Sequence, residues 1–211
     1  NALSAHFEAS SYRDGKVRTV VFEKGNMVSD TTENAGPEET GTRIVFEPDN
    51  TLFVGYSFRS AYIETMLRNY TYLNTGLTIM YNGKRILSRN GLVDLLTDNM
   101  TATSLYPIIH LKTEDIEIAF THTDQYGEEY YSFVNGQHTT EGGTHLSAFK
   151  EGLTKALNEY SKKKFDGDDV REGLTAVISV KLKDAQFEGQ TKAKLGNTAM
   201  GTLITQLLNE K

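Results

Sequence analysis

The chain of 211 residues contains no cysteine. That excludes a disulfide framework and every cysteine-ligated zinc site, and it fits a reducing cytoplasm. Only three prolines occur and no low-complexity tract is present, so long disordered linkers are not expected. No apolar run approaches the roughly 20 residues that span a bilayer. The opening "NALSAHFEASSY" lacks the basic and then apolar layout of a secretory signal. No membrane partner is therefore expected. Positive charge is also in deficit, with 22 Lys and Arg against 28 Asp and Glu and a formal charge of −6. This argues against a uniform nucleic-acid coat but leaves room for a local basic face, because phosphate binding depends on where the lysines lie.

What is present reads as an α+β protein large enough to bury a real core. "HFEASSY" and "KVRTVVFEKG" flank Arg13-Asp14-Gly15, a hairpin signal because glycine supplies the positive φ of a tight reversal. "GNMVSDTTENAGPEETG" is polar and turn-rich and predicts a surface loop, after which "TRIVFEP" returns as a strand. From Ser57, a suitable N-cap, the apolar residues Ile63, Met66, Leu67, Tyr70 and Leu73 recur at helical spacing. "LTIMYNGKRIL" predicts a hairpin about Asn82-Gly83.

After about residue 90 the pattern restarts, giving two α+β units with a boundary near 85–92. "GLVDLLTDNM" reads as a short helix and "LYPIIHL" as an extended stretch. "DIEIAFTHTDQYGEEYYSFVNG" has the period-2 alternation of a long hairpin, at Ile116, Ile118 and Phe120. Thr144 is placed to cap a helix whose apolar stripe is Leu146, Phe149, Leu153, Ala156, Leu157 and Tyr160. A buried strand over 174–182 and a last helix over 200–211 complete the chain.

Several short motifs carry candidate chemistry. The five histidines are scattered, with no i, i+4 helical pair, so no metal site is expected. "EGGTH" (141–145) lacks the length and the Lys-Ser/Thr of a P-loop and reads as a flexible lead-in to a helix. "GDDVREGLTAVISV" reads as a helix start and a central strand, with Arg171 and Glu172 a possible loop-fixing ion pair. On the helix over 145–160, Lys150, Thr154 and Ser161 share one flank that sequence position leaves free of carboxylates; Lys155 and Lys162–Lys164 extend its basic character. A solvated, lysine-rich helix end accounts for the same residues. Finally, "QFEGQTKAKLG" follows the strand-like "LTAVISVKL" and presents Gln190, Thr191 and Lys192 together. An amide, a hydroxyl and an ammonium make poor core and a good holder for an anion.

"NALS", "YRDGKV", "TGTRIVFEPD", "LRNYTYLNTGL", "YSFVNGQHTTEGGTH", "DVREGLTAVISVK" and "QFEGQTKAKLG" together resemble the ATPase subunit of bacterial type IIA topoisomerases. That family comprises gyrase B and its topoisomerase IV counterpart, and the overall look leans to the latter. The resemblance implies the C-terminal part of a GHKL-type ATPase α/β sandwich over residues 1–90. A transducer domain of ribosomal-protein-S5-domain-2-like fold follows over 91–211. It implies that Gln190 and Lys192 touch the γ-phosphate of ATP and take part in catalysis, that Thr42 lies near the adenine edge, and that Lys150 faces DNA. It further implies ATP and Mg²⁺ as cofactors of the whole enzyme. The partners implied are DNA, a second copy of the same polypeptide in an ATP-gated dimer, and a DNA-cleaving A-type subunit in a heterotetramer, in a bacterial, nucleoid-associated cytoplasmic setting. "NALS" matches the helix after the family's ATP lid. The lid, the catalytic Glu, the Mg²⁺-binding Asn and the adenine-binding Asp have no counterpart in these residues, so they are expected to be inactive alone and to bind no nucleotide tightly. Two other readings stay open on the residues themselves. One is a stand-alone α+β module for an anionic ligand or protein. The other is a GHKL histidine kinase or chaperone relative, disfavoured by "QFEGQTK" and by the absence of a phosphoacceptor His motif.

Overall fold

The computed structural model describes residues 1–37 and 40–210. Glu38 and Glu39 of the expected acidic loop, and Lys211 of the last helix, lie outside the described residues. The chain divides into two compact units, Asn1–Arg59 and Ser60–Lys211.

The first unit is a four-stranded antiparallel sheet. Its strands are β1 (Ser4–Arg13), β2 (Lys16–Glu23), β3 (Asn26–Asn34) and β4 (Gly41–Pro48), in the order β3-β2-β1-β4. Asp14 and Gly15 turn the first hairpin with φ of 52° and 70°. Positive φ at both turn positions matches the right-handed twist of the strands they join. Lys24 and Gly25 repeat the device with φ of 47° and 83°, so the segment expected as a loop continues as β3 instead. Its polar composition is tolerated because β3 is an edge strand, exposed almost throughout, and Arg18 of β2 grips Asp30 of β3 through two hydrogen bonds. "NALS" is not helical: Asn1–Leu3 form a turn and Ser4 opens β1.

The second unit begins with α1 (Ser60–Leu73), two residues later than a cap at Ser57 would place it. Its expected stripe is half-exposed at Met66 and Tyr70; the residues it buries are Thr71 and Tyr72, at the end that meets the next helix. The hairpin β5 (Thr78–Tyr81) and β6 (Lys84–Leu87) turns at Asn82-Gly83 as expected, and α2 spans Leu92–Asn99. Then come β7 (Ile109–Lys112), β8 (Ile116–His122), β9 (Glu129–Val134), β10 (Gln137–His138), α3 (Thr144–Ser161), α4 (Gly167–Arg171), β11 (Leu174–Val180) and α5 (Met200–Asn209).

The five-stranded sheet runs β10-β9-β11-β8-β7. β8 and β9 are therefore not hairpin partners: β11 lies between them, antiparallel to β8 and parallel to β9. The parallel pair needs a crossover, and α3 with α4 supplies it. β11 alternates Leu174, Ala176, Ile178 and Val180 into a core shared with α3 and α5, and Val177 into a second core with α2 and Tyr72. Burial on both faces is why its sequence reads as a continuous apolar run. Gly152 of α3 lets α5 approach, since a Cβ there would stand 2.9 Å from Leu208 Cδ1.

Candidate functional site

Residues 186–196 form a short irregular hairpin projecting after β11. Glu188 N–H donates to Lys194 O at 3.0 Å and Gly196 N–H to Gln186 O at 2.8 Å, closing its two arms. Glu188 and Lys194 add an ion pair across it at 3.1 Å. Leu195, fully buried in the main core, is the anchor. The tip holds Gln190, Thr191 and Lys192, all exposed. Lys192 adopts the left-handed conformation, φ 57°, and its N–H closes a turn on Gly189 O. Its ammonium stands 6.0 Å from the centre of the Phe187 ring. Among the described residues no carboxylate pairs with Lys192 and no hydrogen bond engages the side chain of Gln190. One of the two lysines of this hairpin is thus neutralised by Glu188, and the other carries its charge at the tip, ready for an external anion.

Thr42 lies in the first unit, whereas Gln190 and Lys192 lie together in the second. Thr42 is exposed on β4, directly opposite Ser11 of β1. Direct cross-strand partners share a sheet face and the face recurs every second residue. Thr42 therefore stands on the face that carries Phe7, Phe46, Ala9 and Ile44. The opposite face is mixed, with Glu8, Ser10 and Arg43 beside Val21 and Val45. A hydroxyl at the end of an apolar strip suits a flat heterocycle with one polar edge.

Lys150 requires a correction. Its flank of α3 is not free of carboxylates, because Glu128, just before β9, reaches it at 2.8 Å. Lys150 also lies 4.2 Å from the centre of the Tyr130 ring. Arg171 joins the same carboxylate at 3.0 Å and Asp168 at 2.6 Å, while Glu172 accepts from Gly127 N–H at 3.0 Å. Arg171 and Glu172 thus each fix the loop before β9, but not by pairing with each other. Burial opposes ionisation of Glu128, yet bonds from Lys150 and Tyr130 and the nearby positive charges hold its carboxyl below the usual range. The same contact with Glu128, on top of burial, raises the Tyr130 hydroxyl.

"EGGTH" is also not a loose lead-in. The N-cap of α3 is Gly143, not Thr144, whose hydroxyl is buried without a partner among the described residues. The backbone of Glu141–Thr144 is bonded to Ala193 and Leu195 of the tip hairpin. Two adjacent glycines were the available signal, since glycine marks close approach of one backbone to another. A groove of about 1000 Å³ between α3, α5 and this hairpin has Glu151, Glu188, Glu210 and Lys194 on its walls and does not include Gln190 or Lys192. Its one lysine is already paired with Glu188, and the other two carboxylates do not suit a phosphate.

A family model described as DNA gyrase B matches residues 77–211. The B-type subunit of DNA topoisomerase 4 from Borreliella burgdorferi is 42% identical over 198 residues, covering 93% of this chain and 33% of its own length. The B-type subunit of DNA gyrase from Thermotoga maritima is 37% identical over 238 residues, covering 100% of this chain and 37% of its own. Among solved structures, the ATPase domain of Thermus thermophilus gyrase B, in complex with an aminocoumarin, is similar with a TM-score of 0.81 and 33% identity, over 99% of this chain and 63% of that one. The topoisomerase IV ATP-binding domain of Francisella tularensis, in complex with a small-molecule inhibitor, has a TM-score of 0.81 and 28% identity, over the same shares of 99% and 63%. The chain spans about a third of the length of these curated relatives. Its α+β architecture is that of GHKL-type gyrase B ATPase domains. With the family model extending from just before β5 to the end of the chain, through the tip hairpin and both cores of the second unit, this chain belongs to the DNA gyrase B family.

Proposed function

We propose that these residues form part of the ATP-hydrolysing subunit of a type II DNA topoisomerase, an enzyme that passes one duplex through a transient break in another. The observation that carries the reading is the tip of the hairpin after β11: an exposed Gln190 and an unpaired Lys192 on a turn anchored by a buried Leu195. A compact ammonium beside a transferring phosphoryl group stabilises developing charge, and the contact is lost when phosphate leaves. The tip thereby acts as catalytic aid and as sensor, holding two domains in one orientation while ATP is present and releasing them after hydrolysis. On this reading Thr42 serves the adenine edge, Mg²⁺ accompanies the nucleotide, and the acid–base chemistry at water comes from residues other than these.

The ATPase and transducer portions divide near residue 90 in this proposal. The compact units divide earlier because Tyr72 of α1 packs with Leu92, Leu95 and Leu96 of α2 and donates to Asp98. Lys150 is proposed to face DNA, with part of its charge already committed to Glu128. The partners are DNA, a second copy of the same polypeptide and a DNA-cleaving A-type subunit, in the cytoplasm and at the nucleoid.

The test is Lys192→Ala in the intact subunit. ADP affinity and fold should be nearly unchanged, since ADP has no γ-phosphate, while ATP hydrolysis falls by one or more orders of magnitude. Near-normal hydrolysis would reject the role.

A further inference from the structure

Besides its buried Leu195 and the Asn197 side chain that accepts from Gln186 N–H, the hairpin that carries Lys192 has two backbone supports. One is its own partner arm, 186–188. The other is the Glu141–Thr144 loop, which runs beside the arm leading away from Lys192. Glu141 N–H donates to Ala193 O at 2.9 Å, Leu195 N–H to Gly142 O at 3.1 Å, and Thr144 N–H to Leu195 O at 3.0 Å. Gly143 and Leu195 form a parallel bridge, and Leu195 bridges Phe187 on its other side. The first of these bonds holds the residue next to Lys192, and the third caps α3. Thr144 N–H is one of the amides that a helix leaves without an internal partner, and the hairpin arm supplies its acceptor.

Gly143 is what lets the two backbones meet. Its φ is 130°, and a Cβ there would stand 2.4 Å from both the nitrogen and the oxygen of Leu195. No rotamer relieves that contact, because the neighbours are backbone atoms. Ordinary van der Waals distance would require the arm to move by about 1 Å.

We infer that the Glu141–Thr144 loop is the mount of the nucleotide-sensing tip, and that Gly143 is a positioning residue for Lys192. This rests on the reading of Lys192 as a γ-phosphate contact. The mount holds the ammonium where the phosphate will be, so that little conformational freedom is lost on binding. A misplacement of about 1 Å in such a group costs on the order of 10²-fold in rate. The Leu195 carbonyl also ties the arm to the first turn of α3, so a tip pulled by phosphate pulls on that helix.

Gly143→Ala, Lys192→Ala and the double variant, made in the intact subunit, test the inference. Gly143→Ala is expected to lower affinity for a non-hydrolysable ATP analogue roughly tenfold or more, with ADP affinity unchanged, and to lower kcat on the order of 10²-fold. The double variant should be no worse than Lys192→Ala alone, because both act through one contact. Gly143→Ala with hydrolysis within about twofold of the parent, an equal loss of ADP affinity, or losses that multiply in the double variant would each overturn the mount. Normal hydrolysis by Lys192→Ala would overturn the sensor reading itself, and the inference with it; an impaired Lys192→Ala beside a healthy Gly143→Ala overturns the inference alone. Amide exchange on the unaltered subunit keeps the test open if Gly143→Ala does not fold. The amides of Glu141, Thr144 and Leu195 should be as protected as the interior of α3, and fast exchange at all three would refute the mount.

Discussion

Every buried apolar side chain among the described residues lies in the second unit, between Tyr72 and Leu208, whereas the first buries only Ser4, Ser10 and Asp49. Part of the difference is strand chemistry, since β11 is apolar on both faces and β3 is polar almost throughout, and part is what covers the sheets. The sheet of the second unit is covered on one face by α3 and α5 and on the other by α2 with the end of α1. Among the described residues of the first unit there is no helix to cover either face of its sheet. Ile44 and Phe46 of β4 are 50% and 52% exposed, while Ile178 of β11 has no exposed surface. A sheet needs a second layer before its apolar face contributes to stability. The hairpin that carries Lys192, and the Glu141–Thr144 loop bonded to it, are in the unit that has that layer.

The largest effect that would sharpen this contrast is autonomy. Residues 60–211 expressed alone should unfold in one cooperative transition in urea, and residues 1–59 alone should show none; a cooperative transition in the shorter piece would break the comparison. Next come core truncations in the 211-residue chain. Ile178→Ala should cost about 3 kcal/mol by urea midpoint, because it opens a cavity between two helices and a sheet. Ile44→Ala should cost less than about 1 kcal/mol, since its side chain is half in water already.

His145 in the second unit and His6 in the first should respond to acid in opposite directions. His145, at the start of α3, is fully buried, and burial lowers its pKa to about 4. In the unfolded chain its pKa is about 6.5, so between these values the unfolded state binds more protons. Its contribution is full above about pH 6.5 and falls as the pH drops toward 4, by up to about 3 kcal/mol in all. His6 of β1 is raised by its hydrogen bond to Glu23, burial opposing, so its small contribution is present at low pH and lost as the pH rises through the raised value. Urea midpoints of the chain and of His145→Gln between pH 4 and 7.5 test the first effect, and histidine NMR titration tests both. A His145 that titrates near 6.5 would refute it.

The smallest effect concerns Lys150. Lys150→Gln should raise the Glu128 pKa toward the ordinary carboxylate value. Surface ion pairs of this exposure are worth at most about 1 kcal/mol, so stability should change by less than that. In the intact subunit it should reduce the salt slope of DNA binding by less than the unit expected of a free lysine, because Glu128 shares its charge. An unreduced slope would remove Lys150 from the DNA-facing surface.

Much of this molecule was legible in short stretches of sequence because short-range geometry writes directly into residue order. Asn82-Gly83 and Asp14-Gly15 specify turns through φ alone, the α3 stripe is helical spacing, and β11 announces burial on two faces by having no polar alternation. Gln190 and Lys192 stand out for the same reason: polar residues following a buried strand have to be at a tip. What the tertiary structure alone decided are the meetings across distance. β11, apolar on both faces, inserts between β8 and β9 and is buried in a core on each side, where the alternation in β8 and β9 suggests a hairpin. Glu128 finds Lys150 across 22 residues of chain, and Leu195 finds Gly143 across 52. Each of these is set by which backbones the packed core brings side by side, and no local period records that.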